Sequence, residues 1–113
     1  MPHIIIEYSI ASLDAKSQET LLHDLFNAVT NTRLFEASNI KVRLHPINTF
    51  KLATNFNGFI HVQCRIHGGR SNQEQQILSE SLLSVLKGYA AMKTVITVEV
   101  VEMNSASYAK GIA

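Results

Sequence analysis

Residues 59–86 read FIHVQCRIHGGRSNQEQQILSESLLSVL. In the first part, Phe59, His61, Gln63, Arg65 and His67 alternate with Ile60, Val62, Cys64 and Ile66. That is the period of a strand with one polar and one apolar face. The alternation stops at Gly68-Gly69-Arg70-Ser71, a turn whose serine can cap a following helix. Over residues 72–89 the period changes, and Ile77, Leu78, Leu82, Val85 and Leu86 form one helical stripe. Residues 94–103, TVITVEVVEM, return to β-branched strand sequence. The second half of the chain therefore reads strand, helix, strand.

The first half has the same order. Residues 3–9, HIIIEYS, are a buried strand. Residues 17–31, SQETLLHDLFNAVTN, carry Leu21, Leu22, Leu25, Phe26 and Val29 at helical spacing, with Ser17, Glu19 and Thr20 as a capped start. Residues 39–46, NIKVRLHP, set Ile40, Val42 and Leu44 against Lys41, Arg43 and His45, and Pro46 is expected to end that strand. A less regular connector, INTFKLATNFNG, joins the halves, and the tail NSASYAKGIA is small and polar. The expectation is one α+β domain over residues 1–113, with β-α-β units at 3–46 and 59–103 and a tail at 104–113. Joining the units gives a four-stranded sheet with two helices on one face. Ile4, Ile5, Ile6, Val98, Val100 and Val101 make some strands apolar on both sides, so self-association is expected to cover the other face.

Bulk composition narrows the function classes. A chain of 113 residues has room for one domain. Its formal net charge is +1, with no basic block, so the clustered positive footprint of a nucleic-acid binder is missing. No apolar run reaches the roughly 20 residues of a membrane helix. The N-terminus lacks the charged and apolar regions of a signal peptide, and a soluble, cytoplasmic protein is expected. The single cysteine, Cys64, rules out an intrachain disulfide and a Cys-based zinc site, and reads as core.

Pro2 is the first candidate functional residue. At a chain start it can simply begin an edge strand without wasting a donor. If Met1 is removed, however, it carries a free secondary amine. Burial and neighbouring cations would lower that amine's pKa towards the working pH of a general base. With Met1 in place the nitrogen is an amide and has no such chemistry. Arg70 is the second. It is either a surface loop arginine or, beside the free N–H groups of a helix start, a bidentate grip on a carboxylate. Lys41, Arg43 and His45 share one strand face, which is either solvated or a cationic wall facing an acidic ligand. His3, His23, His45, His61 and His67 form no metal motif and read as structural or surface residues; no metal and no cofactor are expected. Glu7 either orients a neighbour or is a paired structural carboxylate.

Taken together, PHIIIEYS, IKVRLH and FIHVQCRIHGGRS followed by a helix resemble the 5-carboxymethyl-2-hydroxymuconate isomerase family of the tautomerase superfamily. That family's segments run approximately PHFIVECS, IRSRVH and FVHMTLKIGAGRS, and the similarity extends from Pro2 to about Met103. The resemblance implies a homotrimer with sites near subunit interfaces and a cofactor-independent enzyme. It implies that Pro2 takes a proton from the 2-hydroxy group of a dienol and delivers one to a conjugated carbon. Arg70 would bind a carboxylate and stabilise developing charge. Lys41 falls where the family has the first arginine of IRSR, which would also hold a carboxylate or carbonyl oxygen, with Arg43 at the second and His45 after it as further substrate-binding residues. Lysine at position 41 keeps the charge but loses the planar fork, so the grip is less directional. The tail is shorter than the family's.

Three readings follow. The first is a tautomerase of a small unsaturated 2-hydroxy dicarboxylate, such as 5-carboxymethyl-2-hydroxymuconate. The second is a non-catalytic trimeric scaffold or anion-binding module on the same fold. The third keeps the terminal proline for dehalogenation or decarboxylation.

Overall fold

The computed structural model describes residues 1–113. The strands are β1 (His3–Ser9), β2 (Lys41–Ile47), β3 (Gly58–His67) and β4 (Thr94–Met103), and the helices are α1 (Gln18–Asn31) and α2 (Asn72–Lys87). Short 3₁₀ turns, Ala15–Ser17 and Ala37–Asn39, precede α1 and β2. The sheet order is β2-β1-β3-β4. Each β-α-β unit contributes a parallel pair, β1 with β2 and β3 with β4, and the units meet through the antiparallel pair β1 and β3. This is the tandem α+β arrangement expected from the two matching periodicities.

The strand alternation decides which face the helices cover. Ile60, Val62, Cys64 and Ile66 of β3 are fully buried, as are Ile4 and Ile6 of β1. They share one core with Leu21, Leu25 and Val29 of α1 and Leu78, Leu82 and Leu86 of α2. Val42, Leu44, Ile96, Val98 and Val100 pack against its margin from the outer strands. Each fully buried aliphatic side chain contributes on the order of 1.5–3 kcal/mol relative to exposure, so this two-layer core is the main stabilising element.

Several details depart from the sequence expectations. Ile77 belongs to the apolar stripe by spacing, yet it is 46% exposed, because it lies on the flank of α2 away from the sheet. Ser17 stands at the N-cap of α1 without a side-chain hydrogen bond; instead Asp14 accepts from the Lys16 N–H and caps the preceding 3₁₀ turn. Pro46 does not end β2, which runs to Ile47. As β2 is an edge strand, proline there forfeits no ladder bond that the sheet needs. Nor is the open face of the sheet broadly apolar. Ile5, Val101 and the pair Phe59–Val95 lie on it, but among Arg43, His61, Gln63 and Arg65, in the register that pairs Ile5 with Gln63 and Arg65 with Val101. There His61 bonds Thr97 at 2.7 Å and Glu99 at 2.8 Å.

At the start of β3 the backbone of Gly58 is pressed against the end of β1. A Cβ added there would lie 2.6 Å from Ser9 Oγ and 3.3 Å from Ser12 Cβ. Ser9 Oγ is committed, since it accepts the Phe59 N–H at 2.9 Å. Gly58→Ala is therefore expected to destabilise the fold by about 1–3 kcal/mol in urea titration, whereas Gly111→Ala, in open space, should leave the midpoint unchanged. Burial pushes the Cys64 thiol up to about 12. The native protein should accordingly resist thiol reagents at about pH 8 and react fully once unfolded, as followed by mass spectrometry.

Candidate active site

The antiparallel pairing of β1 with β3 brings the beginning of the chain to the end of β3. Around that point lies a pocket of ≈ 700 Å³. Its walls come from Met1, the α1–β2 connection at Leu34–Glu36 and Asn39, the turn His67–Arg70, and the tail residues Tyr108 and Lys110.

Arg70 is held there by local geometry. Gly69 has φ +104, a conformation that side-chain-bearing residues rarely adopt. Beyond it, Ser71 and Glu74 form a reciprocal capping box, with bonds of 2.9 and 3.1 Å. The Ser71 N–H and hydroxyl, with the Arg70 charge, hold the Glu74 carboxyl below its ordinary range. The Arg70 guanidinium donates to the Leu34 carbonyl, lies 5.3 Å from the centre of the Phe35 ring and approaches Glu74 at 3.7 Å. Gln75 donates to the Arg70 carbonyl at 3.2 Å and to Glu102 at 3.0 Å, tying the turn to β4. A guanidinium has five N–H donors, so donors remain for a ligand.

Pro2 is buried and its carbonyl accepts the Lys41 N–H at 3.1 Å. The Met1 amine donates to the Asn39 carbonyl at 2.8 Å, and Lys41 Nζ reaches the same oxygen at 3.4 Å. Lys110 Nζ lies 3.3 Å from Asn39 Oδ1. Burial, then Lys41 and Lys110, lower the pKa of the terminal amine.

Of the residues singled out in the sequence, Arg70 lines the pocket, and Pro2 and Lys41 adjoin it through Met1 and Asn39. Arg43 does not line it; its Nη1 lies 3.3 Å from His3 Nδ1 on the open face of the sheet. His45 stands farther along β2, opposite Glu7, and is exposed. Sequence reasoning passed over Tyr108 and Lys110. The tail's one aromatic and one charged residue were the available signal. His3 and His67, read as structural, both meet Tyr108: His3 Nε2 is 2.9 Å from its hydroxyl, and the His67 ring stands edge-on at 5.0 Å.

The pattern of the 5-carboxymethyl-2-hydroxymuconate isomerase family matches residues 2–111. The chain belongs to that family of isomerases. Among its relatives is 5-carboxymethyl-2-hydroxymuconate Delta-isomerase of Escherichia coli, 30% identical over 97 residues that span 80% of this chain and 74% of the relative. The fold is shared with a 5-carboxymethyl-2-hydroxymuconate isomerase from Deinococcus radiodurans R1, at TM-score 0.81 and 22% identity, covering 97% of this chain and 88% of the other. It is also shared with a fused 4-OT described as a symmetric trimer, at TM-score 0.76 and 10% identity, covering 94% and 91%. The tandem β-α-β fold read from the sequence is the fold of these neighbours.

His3 carries a pH signature. Burial first, then Arg43, Lys41, the terminal amine and Arg65, lower its pKa from 6.5. Between the folded pKa and 6.5 the unfolded chain binds a proton that the folded chain refuses, so stability rises with pH there. The contribution is fully present above 6.5 and is lost as pH falls through that window. His3→Gln should flatten the decline in melting temperature between about pH 7 and pH 5.

Proposed function

We propose that the chain, once Met1 is removed, catalyses cofactor-independent tautomerisation of a small unsaturated 2-hydroxy acid with two or more carboxylates. The Pro2 amine takes the proton of the 2-hydroxy group and returns one to a conjugated carbon. Electrons shift from the O–H bond through the diene to that carbon, leaving a 2-oxo product and a regenerated amine. The compound in the family's name, 5-carboxymethyl-2-hydroxymuconate, fits this class and carries a third carboxylate on its carboxymethyl arm.

The observation that carries this reading is the meeting of the chain's first residues with Arg70 at one pocket. A secondary amine in bulk water is mostly protonated and a poor base at neutral pH. Burial, Lys41 and Lys110 all act against a positive charge on the Met1 amine; Pro2 is itself buried and hydrogen-bonded to the Lys41 backbone, and in this reading its freed nitrogen meets the same surroundings. Arg70 can take a carboxylate in bidentate fashion. Lys41, compact and strongly hydrated, suits depression of the amine's pKa better than recognition of a planar group. Among the residues lining the pocket, Glu36 is the one carboxylate, so the lining favours an anion.

We also propose assembly as a homotrimer through the open face and edges of the sheet. Ile5, Phe59, Val95 and Val101, placed there by the strand register, and the likeness to the trimeric 4-OT fold support it.

Two preparations that differ only in Met1, verified by intact mass, test the chemistry on 5-carboxymethyl-2-hydroxymuconate and on 2-hydroxymuconate. Loss of dienol absorbance should be slower by roughly 10²–10⁴-fold when Met1 is retained. Equal rates would remove Pro2 from the mechanism and favour an anion-binding role. Arg70→Ala should raise KM roughly 10–100-fold, the loss of a hydrogen bond to a charged group. Sedimentation equilibrium should return three chain masses.

A further inference from the structure

Two contacts made by His3 determine more than packing. Arg43 Nη1 lies 3.3 Å from Nδ1, and the Tyr108 hydroxyl lies 2.9 Å from Nε2. A guanidinium can only donate, so Nδ1 is the accepting nitrogen. A neutral imidazole has one donor and one acceptor, so Nε2 carries the hydrogen and gives it to the Tyr108 oxygen. The tyrosine's own hydrogen is then left over. The His3 contact is the hydroxyl's one hydrogen bond within the protein, and Tyr108 lines the pocket together with His67 and Lys110.

We propose that Tyr108 donates its hydroxyl hydrogen to an oxygen of the bound acid, with His3 orienting the hydroxyl and Arg43 selecting the His3 tautomer. The inference rests on the reading of the pocket as an acid site. It adds a third kind of donor to that site, neutral and directional, beside the charged Arg70 and Lys110. Its geometry is held from both sides: the ring packs edge-on against His67, and Asn104 closes the turn before it by accepting the Ala106 N–H at its side chain and the Ser107 N–H at its carbonyl, each at 3.1 Å. A proton on His3 Nδ1 would face the guanidinium, and the depressed His3 pKa keeps that form scarce at neutral pH. Arg43 and His3 are thus positioning residues, while Tyr108 touches the ligand.

The test uses the full chain processed to Pro2 and the six-carbon diacid 2-oxoadipate, which has no double bond to move. Tyr108→Phe keeps the ring and removes the hydroxyl. It should weaken 2-oxoadipate binding roughly tenfold by calorimetry. In a His3→Leu background the same change should have little effect, because the hydroxyl is no longer aimed. Binding weakened by Arg70→Ala but untouched by Tyr108→Phe would overturn the inference and leave the acid pocket standing. Additive effects of the His3 and Tyr108 changes would overturn the orienting role. Failure of the unaltered protein to bind 2-oxoadipate would defeat the acid pocket itself, and this inference with it. Nitrogen-15 spectra of the His3 ring should show the hydrogen on Nε2; a hydrogen on Nδ1 would overturn the tautomer assignment without any variant.

Discussion

The placement of β1 at the centre of the sheet governs the rest of the molecule. The chain's first strand is hydrogen-bonded on one side to β2, running parallel, and on the other to β3, running antiparallel. A central strand cannot slip by one residue without sending Ile4 and Ile6 out of the core and His3 and Ile5 into it. That fixed register brings residues 1 and 2 to the point where β2 begins and β3 ends. The α1–β2 connection and the Gly69 turn then have no choice but to border the N-terminus. The Pro2 carbonyl completes the ladder to Lys41, so the site's backbone is an extension of the sheet.

What could be read in advance was what depends on local period. The alternation of β3, with every second residue buried, was visible in nine consecutive residues. So were the α1 stripe and the Ser71 cap, because each is set by neighbours a few positions away. Arg70 was legible for the same reason: a glycine pair followed by a capping serine fixes where an intervening arginine must sit. Ile77 was misplaced because spacing gives a stripe but not its width, and the sheet covers only the Leu78, Leu82, Leu86 line. Tyr108 was invisible for a different reason. It meets His3 across 105 positions, in a segment without period, and nothing local distinguishes it from a solvated tail. The pairing of Arg43 with His3 was likewise hidden, since it needs the β1–β2 register.

Electrostatically the site is unbalanced by construction. The terminal amine and Lys41 share one carbonyl oxygen, and Lys110 binds the side chain of the same asparagine. Like charges at such spacing repel, and that repulsion adds to burial, the larger cause, in lowering the terminal amine's pKa. An anion entering the pocket relieves it. Under the proposed function, the lysines that would attract an acid also disfavour charge on the amine, so replacing Lys41 or Lys110 with a neutral residue would weaken both effects together.

The repeat of the β-α-β unit has a further consequence. The topology relates β1, α1 and β2 to β3, α2 and β4, so the far end of the sheet, where β3 begins and β1 ends, is built on the same plan. A hollow of ≈ 330 Å³ exists there too, lined by Ser12, Gly58, Met92 and Thr94 among others. In place of a chain start it has Gly58, an internal residue whose nitrogen is a peptide amide. Two architecturally equivalent ends are thus chemically unlike: one sets the terminal amine near Arg70 and Lys110, the other a peptide nitrogen among uncharged residues. Opening the chain at Gly58 and joining the old termini would move the terminal amine to that uncharged end and leave Arg70 and Lys110 behind.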